Sequence, residues 1–216
     1  MEFRQQPMRI MDKIRPVVVT PGLIVCLFFL PPAECACAFD LQDAAAIGAA
    51  YTTHLFMHEM GHQVVAEEVG ADSPQMSFFT WKGGNFYPGL STYKNIPDES
   101  KLPYAVGGER MTGFTFEYAL QSYRRKPTTY NKALMFFSCT DFLAYTLLAI
   151  YVKPDNDMYD PNLIRQETGL SKEVLLSLVV AKSFLNAYRV MNQDARVIPM
   201  IWIDQESAAL LLRIPF

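Results

Sequence analysis

Apolar positions along this chain gather into runs, separated by polar stretches that carry the glycines and prolines. The first run, Pro16 to Leu30, follows Arg4, Arg9, Lys13 and Arg15 and is broken by Pro31 and Pro32 ahead of Ala36-Cys37-Ala38. A basic start, a short apolar core and an A-x-A site predict a secretory signal peptide cut after Ala38. An uncleaved N-terminal anchor is the alternative, disfavoured because the run falls short of the roughly 20 residues that a span requires. Residues 1–38 are therefore a leader or anchor, and residues 39–216 form a single domain.

Next comes a stretch almost free of charge from Ala44 to Met57. Asp43 is expected to cap a helix from Ala44 to about Val69, with Gly70 as its stop. This segment either crosses a bilayer or is buried in a globular core. From Asp72 to Tyr104 the character changes to short strands and turns around Gly83-Gly84, with Pro88, Pro97 and Pro103 keeping the region loop-rich. Tyr104 to Tyr123 reads as a moderately polar helix, and Arg124-Arg125-Lys126 after it as a solvated loop.

Leu134 to Val152 is the strongest membrane candidate, interrupted by Asp141 only. An ionisable group inside such a run faces the bundle interior, or else the helix belongs to a soluble core. Asp155, Asn156, Asp157 and Asp160 lack the glycine and terminal glutamate of a calcium loop and read as solvated. Asp160-Pro161 starts a short helix that Gly169 ends, and Ser171 caps another from Lys172 to about Asn192. The tail from Val197 to Phe216 is apolar but broken by Pro199, Asp204 and Glu206. The expected fold is mainly α, a membrane-associated helical bundle with a small β-hairpin or sheet after the first long helix. If that helix crosses inward, Arg124 to Lys126 lie on the cytoplasmic side and the acidic loop outside, which agrees with the preference of basic residues for the cytoplasm.

Composition adjusts this picture in two places. Hydrophobic residues make up 50% of the chain, and a mean hydropathy of +0.07 is at the apolar edge for a soluble protein. The net charge of −3 and the lack of a basic stripe argue against nucleic-acid binding. Removal of the leader takes Cys26, Cys35 and Cys37 with it. Cys139 is then alone, without a partner for an intramolecular disulfide, and is expected to be a small buried hydrophobe.

The chemistry concentrates in the first long helix. The chain's 3 histidines, His54, His58 and His62, repeat every fourth residue, and His58-Glu59-Met60-Gly61-His62 is an H-E-x-x-H motif. Residues four apart share a helix face, so His58 and His62 can converge on one ion with Glu59 beside it. His54 and His62 are separated by roughly 12 Å of helix rise, too far to share that ion. Two imidazoles, an open coordination position and a carboxylate that takes a proton from water are the working parts of zinc peptidases. A third ligand is needed. With no further histidine it must be a carboxylate, and Glu109, Glu117, Asp141 and Asp194 are the candidates.

The segment THLFMHEMGHQVVAEEVGA resembles the motif helix of the site-2-protease-like intramembrane metallopeptidases. In that family a β-rich segment and a glycine-containing helix follow, and a later helix carries N-x-x-P-x-x-x-L-D-G, whose aspartate is the third zinc ligand. Asn186 to Asp194 keeps the eight-residue step from Asn to Asp, so the resemblance implies Asp194 as that ligand. The match departs from the pattern at Arg189, Gln193 and Ala195, where the family has Pro, Leu and Gly. The similarity is specific over about twenty residues and loose beyond them.

The sequence is thus expected to encode a membrane or exported zinc metallopeptidase of the cell envelope, acting on a protein or peptide. His58, His62 and Asp194 would hold Zn2+, and Glu59 would serve as general base. A soluble secreted hydrolase with Glu109 as third ligand and a non-catalytic metal-binding membrane protein are the competing expectations.

Overall fold

The computed structural model describes residues 40–154 and 156–214; the leader or anchor expected over 1–38 lies outside them, as does Asp155. Helix α1 runs Leu41–Glu68. Its cap is Asp40 rather than Asp43, because the Asp40 carboxylate accepts from the Asp43 N–H at 2.8 Å. Asp43 becomes an acidic group in the first turn, where the helix dipole favours it. Gly70 follows with φ 71°, a left-handed conformation that ends the helix readily only at glycine.

Strands β1 (Gln75–Lys82) and β2 (Asn85–Thr92) form the expected antiparallel hairpin. Gly83 and Gly84 both have positive φ, as a two-residue turn matched to strand twist requires. Phe79 and Pro88 face each other in register but do not pair. Proline offers no N–H there, and Phe79 takes φ 51°.

Helices α2 (Lys101–Arg125) and α3 (Thr129–Leu147) come next, α3 running on as a π-helical turn, Leu148–Val152. Helix α4 (Asp160–Thr168) opens with Pro161 near its start and closes at Gly169, φ 68°. Ser171 caps α5 (Lys172–Met191) by accepting from the Val174 N–H. The tail differs from its expectation of a broken apolar stretch. Strands β3 (Ile198–Ile203) and β4 (Ala208–Arg213) make a second antiparallel hairpin. Its turn is closed by the Asp204 carboxylate, which accepts from the backbone of Glu206 and Ser207. The chain is therefore mainly helical with two small β-hairpins among the described residues, not one.

The two larger buried apolar clusters hold the helices. One joins Leu102, Val106, Phe142, Ile164, Leu175, Val179 and Ile203; the other joins Ala50, Phe116, Ala119, Leu134, Met135 and Cys139. Between them, polar groups on α1, α2 and α3 face one another. Helices α1 and α2 meet backbone to backbone: a Cβ placed on Gly107 would lie 2.6 Å from the Gly61 carbonyl oxygen. A buried ion pair, Glu109–Lys182, and a part-buried, bidentate one, Glu117–Arg189 with contacts of 2.5 and 2.7 Å, tie α2 to α5. Arg124 is not in a solvated loop. It donates to the carbonyls of Arg189 and Asn192 and so satisfies the end of α5.

Thr129–Val152 and Lys172–Met191 are long and apolar enough to cross a membrane. The apolar window of the second is only 28% buried, and Val174, Val180, Phe184 and Met191 are exposed along it. Cys139 is free and buried, as expected of a small hydrophobe.

Candidate metal centre

The helical spacing of His58 and His62 on α1 brings their Nε2 atoms to 3.3 Å. Asp160, the first residue of α4, places Oδ2 at 3.3 Å from His58 Nε2 and 3.1 Å from His62 Nε2. All three residues are buried. A tetrahedral ion with bonds near 2.0–2.1 Å keeps its ligand atoms roughly 3.3 Å apart. The triangle fits that requirement, so His58, His62 and Asp160 form a group able to hold a metal ion.

The hydrogen bonding around the triangle points the same way. His62 Nδ1 is 2.7 Å from the Tyr104 carbonyl oxygen, which accepts only, so Nδ1 carries the hydrogen. Nε2 of the neutral ring is then a lone pair aimed at Asp160. His58 Nδ1 lies 3.2 Å from Asp141 Oδ2 and 3.2 Å from Thr112 Oγ1, which favours a hydrogen on that nitrogen too. Two lone pairs and a carboxylate oxygen thus converge in a buried space, an arrangement able to accept a cation.

Burial draws the His58 imidazole down, but Asp141 and Asp160 outweigh it and hold it well above the ordinary histidine value. His62 is raised as well: burial opposes the shift, and Asp160 overcomes it. For Asp160 burial pushes up, but the two imidazoles prevail and keep the carboxyl below the usual range.

Glycines make room for this arrangement. A Cβ on Gly108 would lie 2.6 Å from His58 Nε2 and would also collide with His62 Nε2. A Cβ on Gly89 of β2 would lie 2.5 Å from Glu59 Oε1. The strand therefore passes directly over Glu59, which is buried beside the histidines. Burial raises the Glu59 carboxyl, although both imidazoles pull it down. Glu59, His62, Gly89, Tyr145 and Asp160 line one cavity of about 330 Å³. No family model, curated protein or solved structure matches the chain.

The loop before α4 sets the position of Asp160. The Asn162 side-chain amide donates to the carbonyls of Lys153 at 2.8 Å and Asn156 at 2.9 Å. Lys153 Nζ in turn donates to Asn85 Oδ1, and the Asn156 amide to the Tyr87 hydroxyl, so the loop is pinned to the first hairpin.

Of the residues singled out from sequence, His58, Glu59 and His62 come together as expected. Asp194 does not join them. It is exposed beyond the end of α5, where its N–H donates to Asn192 Oδ1. Glu109 and Glu117 are engaged by Lys182 and Arg189. Asp141 does face the interior, but it backs His58 Nδ1 and stands 3.1 Å from His54 Nε2 rather than joining the triangle. Asp160, read from sequence as part of a solvated loop, supplies the carboxylate. Its one distinguishing sign in the sequence is its place immediately before Pro161, at the start of a helix.

Proposed function

We propose that this chain is a zinc-dependent metallopeptidase with His58, His62 and Asp160 as its metal ligands and Glu59 as general base. The observation that carries the reading is the 3.1–3.3 Å triangle of Nε2, Nε2 and Oδ2 with Glu59 beside it on the same helix. Two imidazoles and a carboxylate are a three-ligand set that suits zinc and leaves a fourth position for water or substrate. When bound, zinc supplies Lewis acidity, lowering the pKa of water toward ~7 and polarising a carbonyl. Glu59, buried beside the two imidazoles, would act as the general base, taking a proton from water and delivering it to the leaving amine. Asp141 and the Tyr104 carbonyl hold the two rings in the tautomer that offers Nε2.

A protein or peptide substrate suits the cavity. The outer edge of β2 has no strand partner among the described residues, and its Gly89–Thr92 segment lines the cavity beside Glu59. An extended peptide can hydrogen-bond along such an edge. The apolar length of Thr129–Val152 and the exposed apolar face of Lys172–Met191 favour a membrane-associated enzyme of the cell envelope. The resemblance to site-2-protease-like enzymes belongs to the same reading over the motif helix, with Asp160 in place of Asp194.

The test is zinc-loaded full-length protein in detergent micelles, assayed on casein and on a membrane-segment peptide. Wild type is expected to cleave, and Glu59→Gln to keep its zinc and lose cleavage. Zinc binding with no hydrolysis on either substrate would favour a non-catalytic metal protein. A Glu59→Gln variant cutting at the wild-type rate would remove the mechanism.

A further inference from the structure

Hydrolysis of a peptide bond places negative charge on the carbonyl oxygen, and a fixed hydrogen-bond donor at that point is worth more than almost any other single group. The geometry points to Tyr145 as that donor, an inference that rests on the peptidase reading.

Tyr145 projects from α3 into the cavity that Glu59, His62 and Asp160 line. Its ring stands edge-on to the His58 imidazole, with centroids 5.9 Å apart and planes at 84°. The Tyr159 ring packs against it at 5.4 Å, so the phenol is held from two sides. The Tyr145 hydroxyl accepts from the Asp160 N–H at 3.4 Å. A hydroxyl that accepts through oxygen still has its own hydrogen to give. Acceptance therefore anchors the oxygen beside the third ligand and leaves the O–H free to point into the cavity. The two lysines that line the cavity are placed differently. Lys101 is paired with Asp98, and Lys82 lies at the far end of the hairpin, next to its turn.

The step balances without a further reagent. The water oxygen forms a bond to the carbonyl carbon as Glu59 takes its proton. The carbonyl π pair moves onto oxygen, and the Tyr145 O–H donates to it, keeping its own proton throughout. The C–N bond then breaks, the pair goes to nitrogen, and nitrogen receives the proton that Glu59 had removed. One water is consumed, and an acid and an amine are released.

Tyr145→Phe removes the donor and keeps the ring. It is expected to lower kcat on casein about a hundred- to a thousand-fold with little change in KM, the loss typical of an oxyanion donor. A phosphoramidate dipeptide, which mimics the tetrahedral centre, should bind Glu59→Gln/Tyr145→Phe at least tenfold more weakly than Glu59→Gln alone. That titration does not depend on turnover. Tyr145→His, which restores a donor on a ring, should recover part of kcat.

The change also leaves the Asp160 N–H without its partner, so zinc affinity is measured on the same variant. If the activity lost by Tyr145→Phe returns at saturating zinc, Tyr145 only positions Asp160 and the inference is overturned. Cleavage within threefold of wild type overturns it equally. Both outcomes leave the peptidase reading intact provided that Glu59→Gln is dead, whereas a wild type that cleaves nothing ends both.

Discussion

Asp141 Oδ2 lies 3.2 Å from His58 Nδ1, so a carboxylate on α3 backs the ring whose other nitrogen faces Asp160. This contact spans two helices and joins the interior of the apolar run to the metal-binding group. A carboxylate behind a ligating imidazole fixes its tautomer and raises its basicity. Asp141→Asn is expected to weaken zinc affinity ~10- to 100-fold with the fold retained. A competition titration against a chelator of known affinity measures it. An unchanged affinity would mean that Asp141 serves His54 alone.

Gly108 has a different part, since it leaves the space that the two imidazoles occupy. Gly108→Ala puts a methyl group against both Nε2 atoms, and a helix interior offers it no other direction. Alanine is the better helix former, so intrinsic propensity alone would favour the variant by up to ~1 kcal/mol. The expectation is opposite in sign for metal binding: helix content kept by circular dichroism and zinc bound at less than a tenth of the wild-type affinity. Wild-type affinity in this variant would show that the rings do not sit over Gly108.

The β3–β4 turn provides a pH test away from the metal. Trp202 Nε1–H donates to the Asp204 carboxylate at 2.9 Å, and the backbone of Glu206 and of Ser207 donates with the Ser207 hydroxyl. These donors, the indole first, draw the carboxyl down to about 2. A depressed folded-state pKa stabilises the turn fully above the unfolded value of ~3.9 and loses that contribution as pH falls through the folded one. The Trp202 indole resonance should therefore shift with a midpoint near 2. A midpoint near 4 would mean that the turn does not hold the carboxylate.

These sites differ in how far the sequence reveals them. The His58–His62 pair lies within one helix, so spacing alone puts both rings on one face. Gly169 and Ser171 act on their neighbours in the chain, and each ends or starts a helix where local rules place it. Asp160 meets His58 across 102 positions of sequence. Its acidic and polar neighbours give that loop the look of a solvated segment, and no local pattern shows that Asn162 and Lys153 fold it back onto the hairpin. Glu109 reads as available in the sequence because Lys182, its partner, is 73 residues away. The Asn-to-Asp step that favoured Asp194 spans the end of α5. Asn186 is buried inside the helix, but Asp194 lies past its last turn and turns to solvent. The second hairpin is not legible in the sequence because Ala208 to Leu212 shows no alternation of apolar and polar residues, the signal by which a half-buried strand is read.

The metal content of purified protein, compared between Asp160→Asn and Asp194→Asn after loading with zinc and removal of excess, shows which carboxylate holds the ion. One zinc ion per chain is expected in wild type and in Asp194→Asn, and a metal-poor Asp160→Asn. A wild type without stoichiometric zinc, or a zinc site that survives Asp160→Asn and is lost in Asp194→Asn, would contradict it.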